Sequence, residues 1–212
     1  DAQVFWGEPD YPGSWWVNDP DPCDYSIHAP IEHFVRTLRI SYEIIKTISP
    51  DDYVAIAGVG SQSFLDAILR NTDNPDGGTI TPEYPNLAGA YIDVLGFHTY
   101  PHLDGSTLFA PSGHFERHSD GAADGIIQRR LGGYQEVLFN YGYDGITYPE
   151  KQHICTEINV PRELFSGDWF GGQTGQTNFI GKALIALKIN KVHQMHVFSI
   201  SDKVEEQDAG FE

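Results

Sequence analysis

Short apolar runs alternate along this chain with longer segments of helical period, and that alternation leaves few folds open to it. The runs lie at 2–6, 53–58, 92–98, 153–158 and 195–200. They carry Val, Ile, Phe and Tyr without clean polar alternation, as parallel strands covered on both faces do. Between the first two, Ile31, Phe34, Val35, Leu38, Ile45 and Ile48 form one apolar stripe, opened by Pro30 and stopped at Ser49-Pro50. Further helices are expected over 63–69, 127–139 and 176–189, with apolar positions at 127, 131, 134 and 138 and at 180, 183, 184 and 187. Strand and helix in turn mean βα units, a parallel sheet and right-handed crossovers. No internal repeat or interdomain linker shows, so 1–212 reads as one domain.

The segments after the strands are long. Those at 9–29, 101–125 and 159–175 are rich in Pro, Gly, Asp or aromatic residues. Unstructured connections of that length in a compact domain are usually functional. All three follow strands and precede helices, which gathers them at the carboxyl ends of the strands, where parallel barrels carry their sites.

Composition narrows the partners. Thirty acidic residues against 13 basic give a formal charge of -17, a field that repels nucleic acid and anionic membrane surfaces and leaves a neutral partner easier to hold. No apolar run approaches membrane-spanning length. Trp6, Trp15, Trp16 and Trp169 all fall at or just after expected strand ends, as sugar-stacking platforms do; sealing long loops onto the barrel is the alternative, and stacking is expected for at least one of Trp15, Trp16 and Trp169. Cys23 and Cys155 fit neither a disulfide scaffold nor a zinc site; a single bridge is open to them, but Cys155 sits inside an apolar strand, and two unpaired thiols are expected. Gly58-Val59-Gly60 lacks the remaining residues of a phosphate loop. Asp73-Asn74-Pro75-Asp76-Gly77-Gly78 lacks the later glutamate of a calcium loop and reads as a turn. His98 with His102, His114 with His118 and His193 with His196 have neither a helix-borne HExxH nor a cysteine partner. Neither metal nor organic cofactor is expected.

Two glutamates carry the chemistry of this reading. Glu8 in Trp6-Gly7-Glu8-Pro9 and Glu157 in Cys155-Thr156-Glu157-Ile158-Asn159 each close a strand-like run. A pair of carboxyl groups at strand ends suits glycoside hydrolysis, in which one protonates the leaving oxygen and the other attacks the anomeric carbon. Each also has a plainer reading: Glu8 as a turn residue capping amides, Glu157 as the partner of Arg162 or another cation. His98 and Tyr100 alternate along one strand face, so the phenol can donate to Glu157 and keep it ionised and aimed. For His98, a structural role with satisfied nitrogens stands beside substrate contact.

In order, these motifs resemble the retaining glycoside hydrolases of clan A. Gly7-Glu8-Pro9 matches the Asn-Glu-Pro that ends the fourth strand there, with Gly7 in place of the asparagine, and Thr156-Glu157 matches the seventh. His98-Thr99-Tyr100 matches a His-x-Tyr pattern on the sixth, and Lys46 with Ser49-Pro50-Asp51 matches the path from the fourth helix into the fifth strand. The resemblance implies a (β/α)8 TIM barrel, α/β in class, of which this chain supplies strands 4 to 8 and other N-terminal units the rest. It implies a double displacement on a polysaccharide or oligosaccharide, outside the cytoplasm or in the periplasm. Glu8 would be acid and then base, and Glu157 the nucleophile, with Trp6, His98, Tyr100, Asn159 and Trp169 binding substrate. Gly7 is the best support for a rival, a non-catalytic carbohydrate-binding or assembly protein derived from such a barrel. A metal-dependent hydrolase using the histidines is a third reading.

Overall fold

The computed structural model describes residues 31–101, 125–160 and 172–198. The strand expected at 2–6, together with Trp6, Glu8, Trp15, Trp16, Cys23, Arg162 and Trp169, lies outside the described residues. The chain divides into two units. Of the described residues, the first holds those up to Gly96 and Tyr134–Gln152, and the second holds those from Phe97 to Gly133 and from His153 onward.

In the first unit, helix α1 (Ile31–Ile48) buries Ile31, Phe34, Val35 and Leu38. It packs on α2 (Gln62–Leu69) and on a 3-10 turn at Ala88–Tyr91. Phe34 meets Phe64 with ring centres 5.8 Å apart. Phe64 is fully buried, which stabilises the fold by roughly 1.5–3 kcal/mol relative to leaving such a ring in water. The expected stripe does not run to the end of α1, where Ile48 is 79% exposed. Polar and aromatic groups take over the buried side there: Tyr42 packs edge-on against Tyr91, and Lys46 reaches Asp93 at 2.9 Å. Lys46 also donates to the Asp52 carbonyl at 2.6 Å, across the turn made by Pro50. Asp93 in turn accepts from the Val54 amide at 2.9 Å. The lysine thus holds the path from helix to sheet.

Helix α2 begins at Ser61, whose hydroxyl accepts from the Phe64 amide and satisfies one of the donors a helix start leaves open. The turn after it is built by side chains. Asn74 accepts from the Asp76 amide and donates to the Thr79 carbonyl, while Gly78 sits at φ +67 where an added Cβ would strike Asn71. Asp73, nearly buried, takes Arg39 at 2.6 Å.

The strand expected at 53–58 is an extended segment joined to the next strand by a single parallel bridge, Ala55 to Val94. Its link to that strand runs through Val54, Ile56 and Val59. The wider step from 56 to 59 breaks a two-residue ladder as a bulge does. Tyr134, fully buried, donates to the Val59 carbonyl at 2.8 Å. At the entry to the later strand, Lys151 donates to the carbonyls of Gly89 and Ile92 over the ring of Tyr143, and burial pulls its pKa down to about 8.

The second unit carries the ordered sheet β1-β2-β3, with β1 at Val94–Thr99, β2 at Gln152–Ile158 and β3 at Val192–Val197. Strands β1 and β2 each pass from the first unit into the second. β2 and β3 are parallel, with His153 opposite Val192, Cys155 opposite Met195 and Ile158 opposite Val197. β3 begins three residues before the expected 195. His193 and Gln194 hid its start, and both are exposed, as polar residues can be on a strand that, among the described residues, ends the sheet order.

The helix expected at 127–139 has two parts: a π-helical turn at Ile126–Leu131 and α3 at Gly132–Asn140. The Gly132 amide bonds to the Ile127 carbonyl, a wider turn at a Gly-Gly pair of low helix propensity. α4 (Gly172–Ile189) starts four residues before the expected 176. It buries Phe179, Ala183 and Leu187 instead of the 180/184 side, and Leu184 is 51% exposed. It packs on β3 and on the π-helical turn, and ends through Lys191, which adopts a left-handed φ of 62. Among the described residues no helix is long and apolar enough to cross a membrane.

Candidate active site

Glu157 stands one residue before the end of β2, and Tyr100 stands just past β1, the neighbouring strand. The Tyr100 hydroxyl donates to Glu157 Oε2 at 2.7 Å. His98 Nδ1 lies 3.4 Å from the same oxygen. Two residues of one strand face thus converge on one carboxylate oxygen, as their alternation requires. The Glu157 side chain remains 33% exposed, whereas that of His98 is 12% exposed, so the carboxylate keeps a side open to solvent.

The charges follow from burial. Burial, then the hydrogen bond to Glu157 and its negative charge, raise the pKa of Tyr100 far above the ordinary phenol value, so the phenol keeps its proton and remains a donor. Burial lowers the pKa of His98, and the opposing pull of Glu157 offsets this only in part. A neutral imidazole at Nδ1 gives the carboxylate a polar neighbour without forming a full ion pair. Cys155 is a buried free thiol pushed up to about 12, chiefly by burial. Its Sγ donates to the Glu157 carbonyl at 3.4 Å, which makes it a backbone support.

The strand end is held on both sides of Glu157. Thr156 Oγ1 donates to the Phe97 carbonyl at 3.1 Å, tying β2 to β1. Asn159 is buried, and its Oδ1 accepts from the Val160 amide at 2.8 Å and from Gln176 Nε2 at 3.3 Å. Its oxygen is therefore turned into the protein. Gln176 and the supporting role of Thr156 were not singled out in the sequence. The glutamine follows Gly172-Gln173-Thr174-Gly175, a run that reads as loop, and no periodicity reports a bond between residues 16 positions apart. Glu8, Trp6 and Trp169 lie outside the described residues. Among the described residues no group of three His, Cys, Asp or Glu side chains could hold a metal ion.

No protein-family model matches the chain, and no curated protein matches it. Its fold does have solved counterparts. One is a family 51 alpha-L-arabinofuranosidase from Bifidobacterium longum, with a TM-score of 0.53 at 11% identity over 82% of this chain and 35% of that one. Another is the thermostable GH51 alpha-L-arabinofuranosidase from Thermotoga petrophila, with a TM-score of 0.50 at 13% identity over 82% of this chain and 31% of that one. This chain spans about a third of the length of each. These neighbours are TIM-barrel glycosidases, and the chain shares their kind of parallel α/β fold. At such identity the likeness concerns the fold alone.

Proposed function

We propose that this chain is the part of a retaining glycoside hydrolase that carries both catalytic carboxyl groups, contributing strands 4 to 8 of a (β/α)8 barrel completed by further N-terminal units. The observation that carries the proposal is the convergence of the Tyr100 hydroxyl and His98 Nδ1 on Glu157 Oε2 at the end of a parallel strand. A structural carboxylate would be expected to meet a cation. This one meets a protonated phenol and an imidazole whose pKa burial has lowered, and is one-third exposed. Such partners orient a nucleophile without neutralising it.

In the proposed reaction Glu157 attacks the anomeric carbon while the Glu8 carboxyl group gives its proton to the departing oxygen. The carbon–oxygen bond of the glycoside breaks as an ester bond to Glu157 forms. Glu8, now a carboxylate, removes a proton from water, which attacks the same carbon and releases Glu157. Tyr100 holds Oε2 in place before attack. As the ester forms, the carboxylate loses negative charge and this hydrogen bond weakens. Trp6 and Trp169 offer apolar faces for a sugar ring, His98 borders the substrate side, and Asn159 holds the strand end beside Glu157. The substrate is a polysaccharide or oligosaccharide, encountered outside the cytoplasm or in the periplasm.

The test is covalent labelling of the complete barrel, this chain together with its N-terminal units, by a 2-fluoro glycoside bearing an activated leaving group, followed by intact mass. The wild type gains one glycosyl unit, Glu157→Gln gains none, and Glu8→Ala still labels because that leaving group needs no acid. Equal labelling in all three removes both assignments. No labelling and no hydrolysis across a broad panel of glycosides turns the reading to a non-catalytic carbohydrate-binding protein.

A further inference from the structure

Among the described residues the parallel ladder that holds β2 ends at the pair Ile158 and Val197, and the Phe198 amide adds a bond to the Ile158 carbonyl at 3.1 Å. Glu157 is therefore one residue from the end of the regular sheet. A side chain at such a place swings with any fraying of the strand, since local opening begins where backbone pairing stops. Upstream, Thr156 is tied to β1. Downstream, among the described residues, one side chain takes over from the ladder. Gln176 Nε2 donates to the Val160 carbonyl at 2.8 Å and to Asn159 Oδ1 at 3.3 Å, and Asn159 Oδ1 also accepts from the Val160 amide. Both polar groups of the Val160 backbone are thereby engaged, one directly by Gln176 and one through the oxygen that Gln176 also binds. Ile158 and Val160 are fully buried on either side, so the segment has little room to re-form its bonds elsewhere.

We propose that Gln176 is a positioning residue for Glu157. Its carboxamide stands in for the missing ladder and fixes the strand end from which the carboxylate meets Tyr100. The inference rests on the glycosidase reading for its catalytic consequence, but the positioning itself can be read without turnover. The amide suits the task because both of its N–H groups point at acceptors, and a carboxylate of the same length would offer none. Gln176 lies in the opening turns of α4, half-exposed, so its replacement leaves the buried row of Phe179, Ala183 and Leu187 intact.

The experiment compares the complete protein, this chain together with its N-terminal barrel units, with its Gln176→Met variant, which keeps length and loses the donors, and its Gln176→Glu variant, which turns oxygens toward two acceptors. Three quantities are measured: hydrogen exchange at the Val160 amide, the carboxyl carbon resonance of Glu157 at neutral pH, and the rate of labelling by the fluoro glycoside. In Gln176→Met the Val160 amide exchanges about ten-fold faster. The Glu157 resonance moves, and labelling slows about ten-fold or more, with the loss in the maximal labelling rate rather than in the half-saturating concentration. Gln176→Glu shifts all three further, and thermal midpoints stay within about 2 °C of wild type. A lower midpoint with an unmoved Glu157 resonance overturns the proposal and leaves Gln176 a stabilising residue only. If the resonance moves in Gln176→Met but no chain labels, positioning stands and the glycosidase reading falls. If wild type and Gln176→Met label at one rate with one Glu157 resonance, positioning falls and the glycosidase reading stands.

Discussion

Tyr100 Oη lies 2.7 Å from Glu157 Oε2, joining residues 57 positions apart at the ends of neighbouring strands. A hydrogen bond to a charged acceptor contributes about 1.5–3 kcal/mol. If Tyr100 aims the nucleophile, Tyr100→Phe lowers kcat for an aryl glycoside roughly ten- to a hundred-fold and leaves KM near its wild-type value. Because the phenol keeps its proton well beyond neutrality, the deficit stays constant through neutral and mildly alkaline pH. Steady-state rates from pH 6 to 9 check this. A deficit confined to KM would make Tyr100 a binding residue instead.

This pair was legible in the sequence because it obeys strand periodicity. His98 and Tyr100 are two apart, and β2 at Gln152–Ile158 differs by one residue from the expected 153–158. Other features left no periodic trace. The start of β3 was hidden by His193 and Gln194, whose polarity a strand at the end of the sheet order tolerates. The start of α4 was hidden by Gly172 and Gly175, residues of low helix propensity that tertiary packing overrides. The Gln176 clamp joins a helix to a strand end, and the π-helical turn at Ile126–Leu131 lies within a pattern that fits an ordinary helix. Local pattern reports which face is apolar, but it carries no information about a hydrogen bond that closes only when two distant elements meet.

His153 is buried at the start of β2, its Nε2 without a hydrogen-bond partner among the described residues. Burial first, and then the like-charged His193, lower its pKa to about 4 from the ordinary 6.5. The unfolded chain therefore binds more protons than the folded one between those values. The stability from keeping this imidazole neutral is complete above pH 6.5 and is lost as pH falls toward 4, by at most about 3 kcal/mol. His153→Gln removes that term. Urea midpoints at pH 7 and pH 4.5 should differ less in the variant than in the wild type. An unchanged difference would assign the acid sensitivity to other groups.

Lys191 joins α4 to β3 with a φ of 62, a conformation that costs a residue bearing a Cβ about 1–2 kcal/mol. Glycine occupies this place after a helix without that cost. Lys191→Gly should raise stability by about 0.5–1 kcal/mol, after allowance for the greater freedom of glycine in the unfolded chain, and should leave any labelling of Glu157 unchanged. The urea midpoint measures it. A fall would mean that the lysine side chain contributes more than its backbone costs.

The central claim is that Glu8 and Glu157 work as one pair, and the distance between their carboxyl groups tests it most directly. A crystal structure of the chain with a bound sugar should place the two groups about 5–5.5 Å apart on either side of the anomeric carbon, the spacing of a retaining mechanism. A separation beyond about 10 Å, outside even the range that admits a water between them, would contradict it.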